Sequence, residues 1–521
     1  MVRKIDFTPT YLPNFNKRQI YRKPIYRLIV KKMLTLFLCF IGALAFVIIW
    51  NSLQKRKHLP PGPVWEWPIL GSAMDLGRLP HITLMKMAQQ YGRVFRLHMG
   101  LDLAVVLNDY ESIKKAFNLE ESTGRPRDTI ADYLFGRNVG LAFSEGSLWK
   151  EHRRFALSAL RDLGMGKSWL QEQILDETEL LIQALTAAKE QPIDPHHLVT
   201  TTVSNVICAA AFGKRYAYTD ERFRSILRNE QDFIQQLNQM SPLDLFPVLR
   251  FVPPFREVFQ KRLDVVRTRY AHIAQAIRDA KISGVEDADR KDYVNLYLRE
   301  QKRQFGHDSM STFSDGQLVD SVIDIFGGGT HTAVTSILFG MILLVENPEV
   351  LKRVHTELDA VAKPNEPILL EHKGHVPFTE ATILEVQRLI PVVPLGVLHR
   401  TTAPTNLDGY ELPPNTLLMS NIYAVHHDPQ LWDEPEVFSP SRFLDNQGKF
   451  VKSPHVIHFS LGKRACPGEG LALMELFLVF ANLIHKFDLE TPEGSTVSSK
   501  DVTVNITQVP NSFKLIFRRR F

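Results

Sequence analysis

The stretch Phe459–Gly470 reads FSLGKRACPGEG and holds one of only three cysteines in 521 residues. Cys466 lies between Gly462 and Gly468, just after Lys463 and Arg464 and directly before Pro467. The residues that follow, PGEGLALMELFLVFANLIHKF, are strongly apolar and predict a helix beginning near Glu469. A thiolate is kept deprotonated by nearby positive charge and backbone N–H donors, and a helix N-terminus supplies both. Gly462, Gly468 and Gly470 let the backbone approach something large. For the turn taken alone, a reactive or purely structural loop cysteine is the plain alternative.

The other two cysteines, Cys39 and Cys208, sit in apolar runs and fit buried, inert thiols. Three scattered cysteines make no disulfide framework, which points to a reducing compartment for most of the chain. With 44% apolar and 23% charged residues, the chain has the composition of a globular protein with a large core. The net charge of +5 comes largely from the first 32 residues, so no basic stripe marks a nucleic-acid partner.

Residues 33–50, MLTLFLCFIGALAFVIIW, carry no charge and are long enough for a transmembrane helix. A cleaved signal peptide is the alternative, but no small-residue cleavage site follows. The leader 1–32 has nine Lys/Arg and one Asp, which by the positive-inside rule would send the body across the membrane. It contains no serine, unlike a transit peptide. Translation from Met33 would remove it and leave Lys55, Arg56 and Lys57 to hold the body in the cytosol, the orientation expected. A basic and proline-rich linker over 51–71 then leads into a body at 72–521.

Within the body, Tyr91–Tyr110 predicts two short strands around Met99–Leu101 and then a helix capped by Asp109. Helical spacing dominates from Ser147 to about Leu389, where Pro391 stops it. Short strands around TNLDGYELPPNTLLMSNIYAV predict a turn at Asp408–Gly409. The body is therefore mainly α, with a small β portion near each end.

Phe459, Gly462, Arg464, Cys466 and Gly468 together spell F-x-x-G-x-R-x-C-x-G. This resembles the haem-binding signature of the cytochrome P450 superfamily, and a lone thiolate on a glycine turn suits an axial ligand to haem iron. The resemblance implies haem b (iron protoporphyrin IX) as cofactor, with Cys466 on the iron, Arg464 on a propionate and Phe459 shielding the sulfur. Glu385 and Arg388 form E-x-x-R, either a solvated surface pair or, as the resemblance implies, a buried network with Arg442 of FSPSRF. Trp149 and Arg153 of WKEHRRF are either an ordinary core Trp and surface Arg or propionate donors. His399 of LHRTT and Arg125 of STGRPR resemble further propionate partners. The likeness runs from Pro60 to the end. WKEHRRF, GMGK, NPEV and GKRACPGE bring it nearest the animal microsomal, drug- and steroid-oxidising family 2 type. It implies a single large, mainly α domain with small β-sheets behind the transmembrane helix.

One segment departs from the pattern. IFGGGTHTAVTS (Ile325–Ser336) matches the family's A-G-x-[DE]-T-T, with Thr332 as its first threonine and His331 where an acid is usual. Three consecutive glycines, each costing a helix about 1 kcal/mol relative to alanine, suggest a local opening for a ligand. Thr332 is expected to donate a hydrogen bond to dioxygen. His331, near its reference pKa of about 6.5, is expected to relay protons, and a satisfied polar residue on an apolar helix is the alternative. No dinucleotide motif is present, so electrons must come from a partner. The resemblance implies NADPH–cytochrome P450 reductase, with cytochrome b5 as a second candidate donor. Lys150, Arg154, Arg161 and Lys463 would form the docking face unless they are merely solvated charges. The chain is thus expected to be a haem-thiolate monooxygenase in the endoplasmic reticulum membrane, acting on a lipophilic small molecule among membrane lipid. Apolar segments near Ile130–Phe135, Phe233–Phe246 and Val392–Val397 would line its pocket. A haem-thiolate isomerase or dehydratase, and a non-catalytic lipophile carrier, are the rival readings.

Overall fold

The computed structural model describes residues 58–163, 168–239, 241–284, 292–305, 311–504 and 506–521. The leader, the expected membrane helix, Cys39, the start of the linker, the GMGK segment at 164–167 and Asn505 lie outside the described residues. Alternating apolar residues form the expected hairpin of β1 (Val94–Met99) and β2 (Asp102–Leu107), with Phe95 opposite Val106 and Leu97 opposite Ala104. Gly100, at φ +64°, makes its turn. Asp109 caps the next helix, Tyr110–Asn118, by accepting from the Ser112 N–H at 3.0 Å. The described part of the proline-rich stretch lies along β1, where the Arg96 N–H donates to the Pro61 carbonyl at 2.8 Å.

Two strands from the far end of the chain complete this sheet. They are β3 (His399–Arg400) and β6 (Leu417–Ser420), and the order is β1-β2-β6-β3. Between them, β4 (Thr405–Leu407) and β5 (Tyr410–Leu412) pair across Asp408 and Gly409, both at positive φ as the Asp-Gly turn requires. Near the C-terminus, β7 (Phe487–Glu490) pairs with β10 (Ile516–Arg519), and β8 (Val502–Val504) with β9 (Gln508–Pro510).

The helices that frame the site are α1 (Gly146–Asp162), α2 (Ser168–Ala187), α3 (His196–Phe212), α4 (Glu221–Leu237), α5 (Phe255–Gly284), α6 (Asp315–Glu346), α7 (Pro377–Leu389) and α8 (Glu469–Lys486). Ser314 starts α6 by accepting from the Gln317 N–H at 3.1 Å, and Asp220 caps α4. By length and hydropathy α6 could cross a bilayer, but it packs on α3 and α8 inside the core. Ile207 and Phe212 of α3, Ile337 and Leu338 of α6, and Phe477 and Ile484 of α8 meet there. Residues 60–521 form one compact unit, mainly helical with small sheets, as the sequence predicts.

Glu385 and Arg388 are fully buried, which overturns the surface-pair alternative. Arg388 donates to both oxygens of Glu385 at 2.7 and 2.9 Å, and to the carbonyls of His426, Pro435 and Val437. Arg442 joins through Nε to Glu385 at 3.0 Å, as the resemblance implies. His426 carries the network onward. One ring nitrogen, Nδ1, donates to the Arg388 carbonyl at 3.0 Å, and Nε2 accepts from the Ile457 N–H at 2.8 Å. Burial keeps this imidazole neutral by pushing its pKa well down, with His458 adding to the effect. Removing one partner of a buried ion pair leaves an uncompensated charge, at a cost of about 3–5 kcal/mol. Glu385→Ala should therefore sharply lower the thermal midpoint and the yield of folded protein. An unchanged midpoint in a melting experiment would show that the pair carries no stability.

Candidate functional site

The cysteine loop closes through the Cys466 N–H, which donates to the Phe459 carbonyl at 2.9 Å. A Cβ on Gly462, at φ +72°, would lie 2.1 Å from the Phe117 carbonyl oxygen. Only glycine lets this loop rest on the end of the Tyr110–Asn118 helix. Helix α8 begins at Glu469 as predicted, and the N–H groups of Gly468 and Glu469 both reach the sulfur. Cys466 keeps accessible surface although protein encloses most of it. Burial raises its pKa, and the two N–H donors and Arg153 do not reverse that shift. The turn alone therefore does not hold a thiolate, contrary to the expectation from charge and helix terminus, whereas coordination to a metal deprotonates a thiol outright.

Beside the loop, the structure gathers the arginines that the sequence scatters. Arg464 lies 3.9 Å over the Trp149 ring of α1 and Arg153 lies 5.9 Å from it. Arg153 also donates to the Ala465 carbonyl at 2.5 Å. Arg464 donates to the carbonyls of Thr123 and Ser144, and Arg125 to those of Ala142 and Leu398. Among the described residues no carboxylate pairs with these three guanidiniums. Glu145 pairs instead with Arg127 and Arg400 and meets only the backbone N–H of Arg125. Burial first, and then mutual repulsion, lower the pKa of Arg464 and of Arg125. The Trp149 indole N–H finds no protein acceptor among the described residues. His399 is buried against Phe117, ring on ring at 3.8 Å, and its Nδ1 lies 2.9 Å from the Ser122 carbonyl. Its pKa is pushed well down by burial, then by Arg125 and Arg464.

Helix α6 runs unbroken through Gly327–Gly329, so the glycines do not break its backbone. The space opens in the side-chain layer instead. Gly328 is exposed in the middle of a buried helix, and a Cβ there would meet nothing within 4 Å. The Thr332 hydroxyl donates back to the Gly328 carbonyl at 2.6 Å. His331 points elsewhere, with Nε2 3.1 Å from the Thr507 hydroxyl. Burial, reinforced by His196, pushes its pKa down to about 4, so it is neutral at physiological pH and not near its reference value as expected. Phe135 meets Phe233 and Phe143, each at 5.8 Å, which joins two of the apolar segments singled out in the sequence. On the surface, Lys150 and Lys463 both pair with Glu120, while Arg154 and Arg161 are exposed. His426, Glu120 and Asn238 carry no local motif, Thr507 stands out in the sequence only as part of a glycosylation sequon, and the folded contacts alone reveal these roles.

A model of the cytochrome P450 family matches residues 60–517. The chain belongs to this family. It is 34% identical to cytochrome P450 18a1 of Drosophila melanogaster over 499 residues, covering 93% of this chain and 92% of that one. It is 33% identical to cytochrome P450 2U1 of Mus musculus over 516 residues, covering 93% and 95%. With human cytochrome P450 2J2 the identity is 33% over 484 residues, covering 91% and 94%. The protein is a P450 monooxygenase, and its cofactor is haem bound through a cysteine thiolate. The residues fit that group on three counts. A P450 haem brings two carboxylates to a site with three unneutralised guanidiniums, its iron needs a thiol with accessible surface, and Gly328 leaves room beside α6.

Proposed function

We propose that Cys466 is the axial ligand of this P450, that Arg125, Trp149, Arg153, His399 and Arg464 hold the haem propionates, and that Phe459 shields the sulfur. The observation that carries this reading is the unneutralised arginine cluster packed against the cysteine loop. With Nδ1 donating to Ser122, His399 can donate from Nε2 only as an imidazolium. Propionate charge would favour that form and oppose the arginines that now disfavour it. Bound haem supplies O2 activation, one atom entering the substrate and the other leaving as water, with the thiolate pushing electron density towards O–O cleavage. Thr332, by turning from the Gly328 carbonyl, offers its proton to oxygen. His331 holds one imidazole proton on the same helix, and Phe135, Phe143 and Phe233 supply an apolar cluster.

The substrate is a lipophilic small molecule such as a steroid, fatty-acid-like compound, hormone or xenobiotic, a reading supported by the apolar cluster of Phe135, Phe143 and Phe233. Electrons come from NADPH–cytochrome P450 reductase, with cytochrome b5 as a further donor. The body faces the cytosol from an anchor in the endoplasmic reticulum membrane. With purified reductase, the protein should consume NADPH and release an oxygenated product. Cys466→Ser should lose both, along with the thiolate-type absorption of the reduced, carbon-monoxide-bound form. Product without NADPH consumption would favour an isomerase or dehydratase, and neither would favour a carrier.

Two further outcomes follow from charge. Glu120 neutralises two of the four basic residues assigned to the docking face, and Lys150 and then Lys463 hold its carboxyl below the usual range. Glu120→Gln frees both lysines, so reductase should bind several-fold tighter at low salt, with a steeper salt dependence. Equal or weaker binding by titration would remove Lys150 and Lys463 from that face. For topology, protease added outside microsomes should digest the body. Protection of the body, or a glycosidase-sensitive shift at the Asn505-Ile506-Thr507 sequon, would place it in the lumen.

A further inference from the structure

Where an acid is usual on α6, this chain has a histidine, and among the described residues that histidine has one hydrogen-bond partner. His331 Nε2 lies 3.1 Å from Thr507 Oγ1. Thr507 occupies the turn between β8 and β9, which the Gln508 N–H fastens to the Val392 carbonyl at 2.8 Å. Asn238, the residue that ends α4, holds Thr507 from its other side. The Thr507 N–H donates to Asn238 Oδ1 at 3.4 Å, and Asn238 Nδ2 donates to Thr507 Oγ1 at 3.2 Å.

The distances then favour one assignment of the roles. With Oγ1 already accepting from Asn238, the hydroxyl proton has two acceptors in reach, His331 Nε2 at 3.1 Å and Asn238 Oδ1 at 3.3 Å. The amide oxygen is the farther and already accepts the Thr507 N–H, so Nε2 is the better acceptor. We propose that Thr507, held by Asn238, is the positioning residue of His331: it donates to Nε2 and so places the single imidazole proton on Nδ1. His331 is neutral, because burial and His196 at the start of α3 both disfavour a second proton. Among the described residues Nδ1 has no hydrogen-bond partner, so the proton placed there is free to be given away. Three elements therefore set one tautomer: α4 through Asn238, the C-terminal turn through Thr507 and α6 through His331. The catalytic consequence rests on His331 lying on the proton route, but the tautomer assignment does not.

The test uses the full-length, haem-loaded protein labelled with 15N-histidine, in the reduced, carbon-monoxide-bound form, which is diamagnetic. Signals of His331 are assigned by their loss in His331→Asn. Wild type and Thr507→Ser should show Nδ1 protonated, whereas Thr507→Val, which cannot donate, should move the proton partly or wholly to Nε2. Asn238→Ala should shift the balance the same way with Thr507 intact. In parallel, product formed per NADPH consumed should fall several-fold in Thr507→Val and return in Thr507→Ser, with substrate affinity unchanged. A wild-type tautomer in both Thr507→Val and Asn238→Ala overturns the inference. A shifted tautomer with unchanged coupling upholds the positioning role and removes His331 from the proton route.

Discussion

Arg388 uses all five of its N–H donors inside the protein, two on Glu385 and three on the carbonyls of His426, Pro435 and Val437. A guanidinium with no access to water tolerates burial only when every donor is matched. The irregular segment around 433–437 is therefore held to α7 by an electrostatic requirement, without a regular ladder of its own. Because His426 is gripped at its carbonyl and its Nδ1, its Nε2 is fixed in space, and that atom receives the Ile457 N–H. Phe459 and Cys466 follow within nine residues, so the cysteine loop inherits its position from an arginine far from the sulfur.

The second arginine cluster has the opposite design. Arg125, Arg153 and Arg464 satisfy several donors on carbonyls, but among the described residues no carboxylate pairs with them. Carbonyl oxygens meet the geometry of a guanidinium without neutralising it, and burial then makes the repulsion among three cations costly. A dianionic ligand removes that cost in the folded state only, which couples cofactor binding to stability. One cluster is complete within the chain, and the other is the one we propose the haem propionates complete.

This contrast also explains how much the sequence discloses. Cys466, Gly462 and Arg464 are legible because a ligand loop needs them within a few residues of one another, and the hairpin and the Asp109 cap because their chemistry is local. Glu385 and Arg388 are visible as a pair, but not their burial, which depends on carbonyls some fifty residues away. His426 looks like any loop histidine until Ile457 is folded against it. The electrostatic expectations fared worst. Proximity of basic residues to Cys466 argued for a thiolate, and a reference pKa argued for a titrating His331, but burial dominates both and burial is a tertiary quantity. The same holds for Lys150 and Lys463, whose common counter-ion Glu120 lies some thirty residues from the first and far from the second.

The three glycines of α6 show how a helix can be uniform in backbone and different on each face. Successive residues point about 100° apart, so Gly327, Gly328 and Gly329 face three directions. A Cβ on Gly327 would lie 2.1 Å from the Arg269 guanidinium, which is tied to Glu230 as a buried pair between α5 and α4. A Cβ on Gly329 would lie 2.7 Å from the Ile207 side chain of α3. Both positions are thus closed by close packing. Of the three, only Gly328 faces open space. Glycine costs each position about 1 kcal/mol of helix propensity, and the packing of α6 on α3 and α8 keeps it helical through that cost. The run is therefore two packing constraints flanking one gap, which explains why the gap does not require a broken helix.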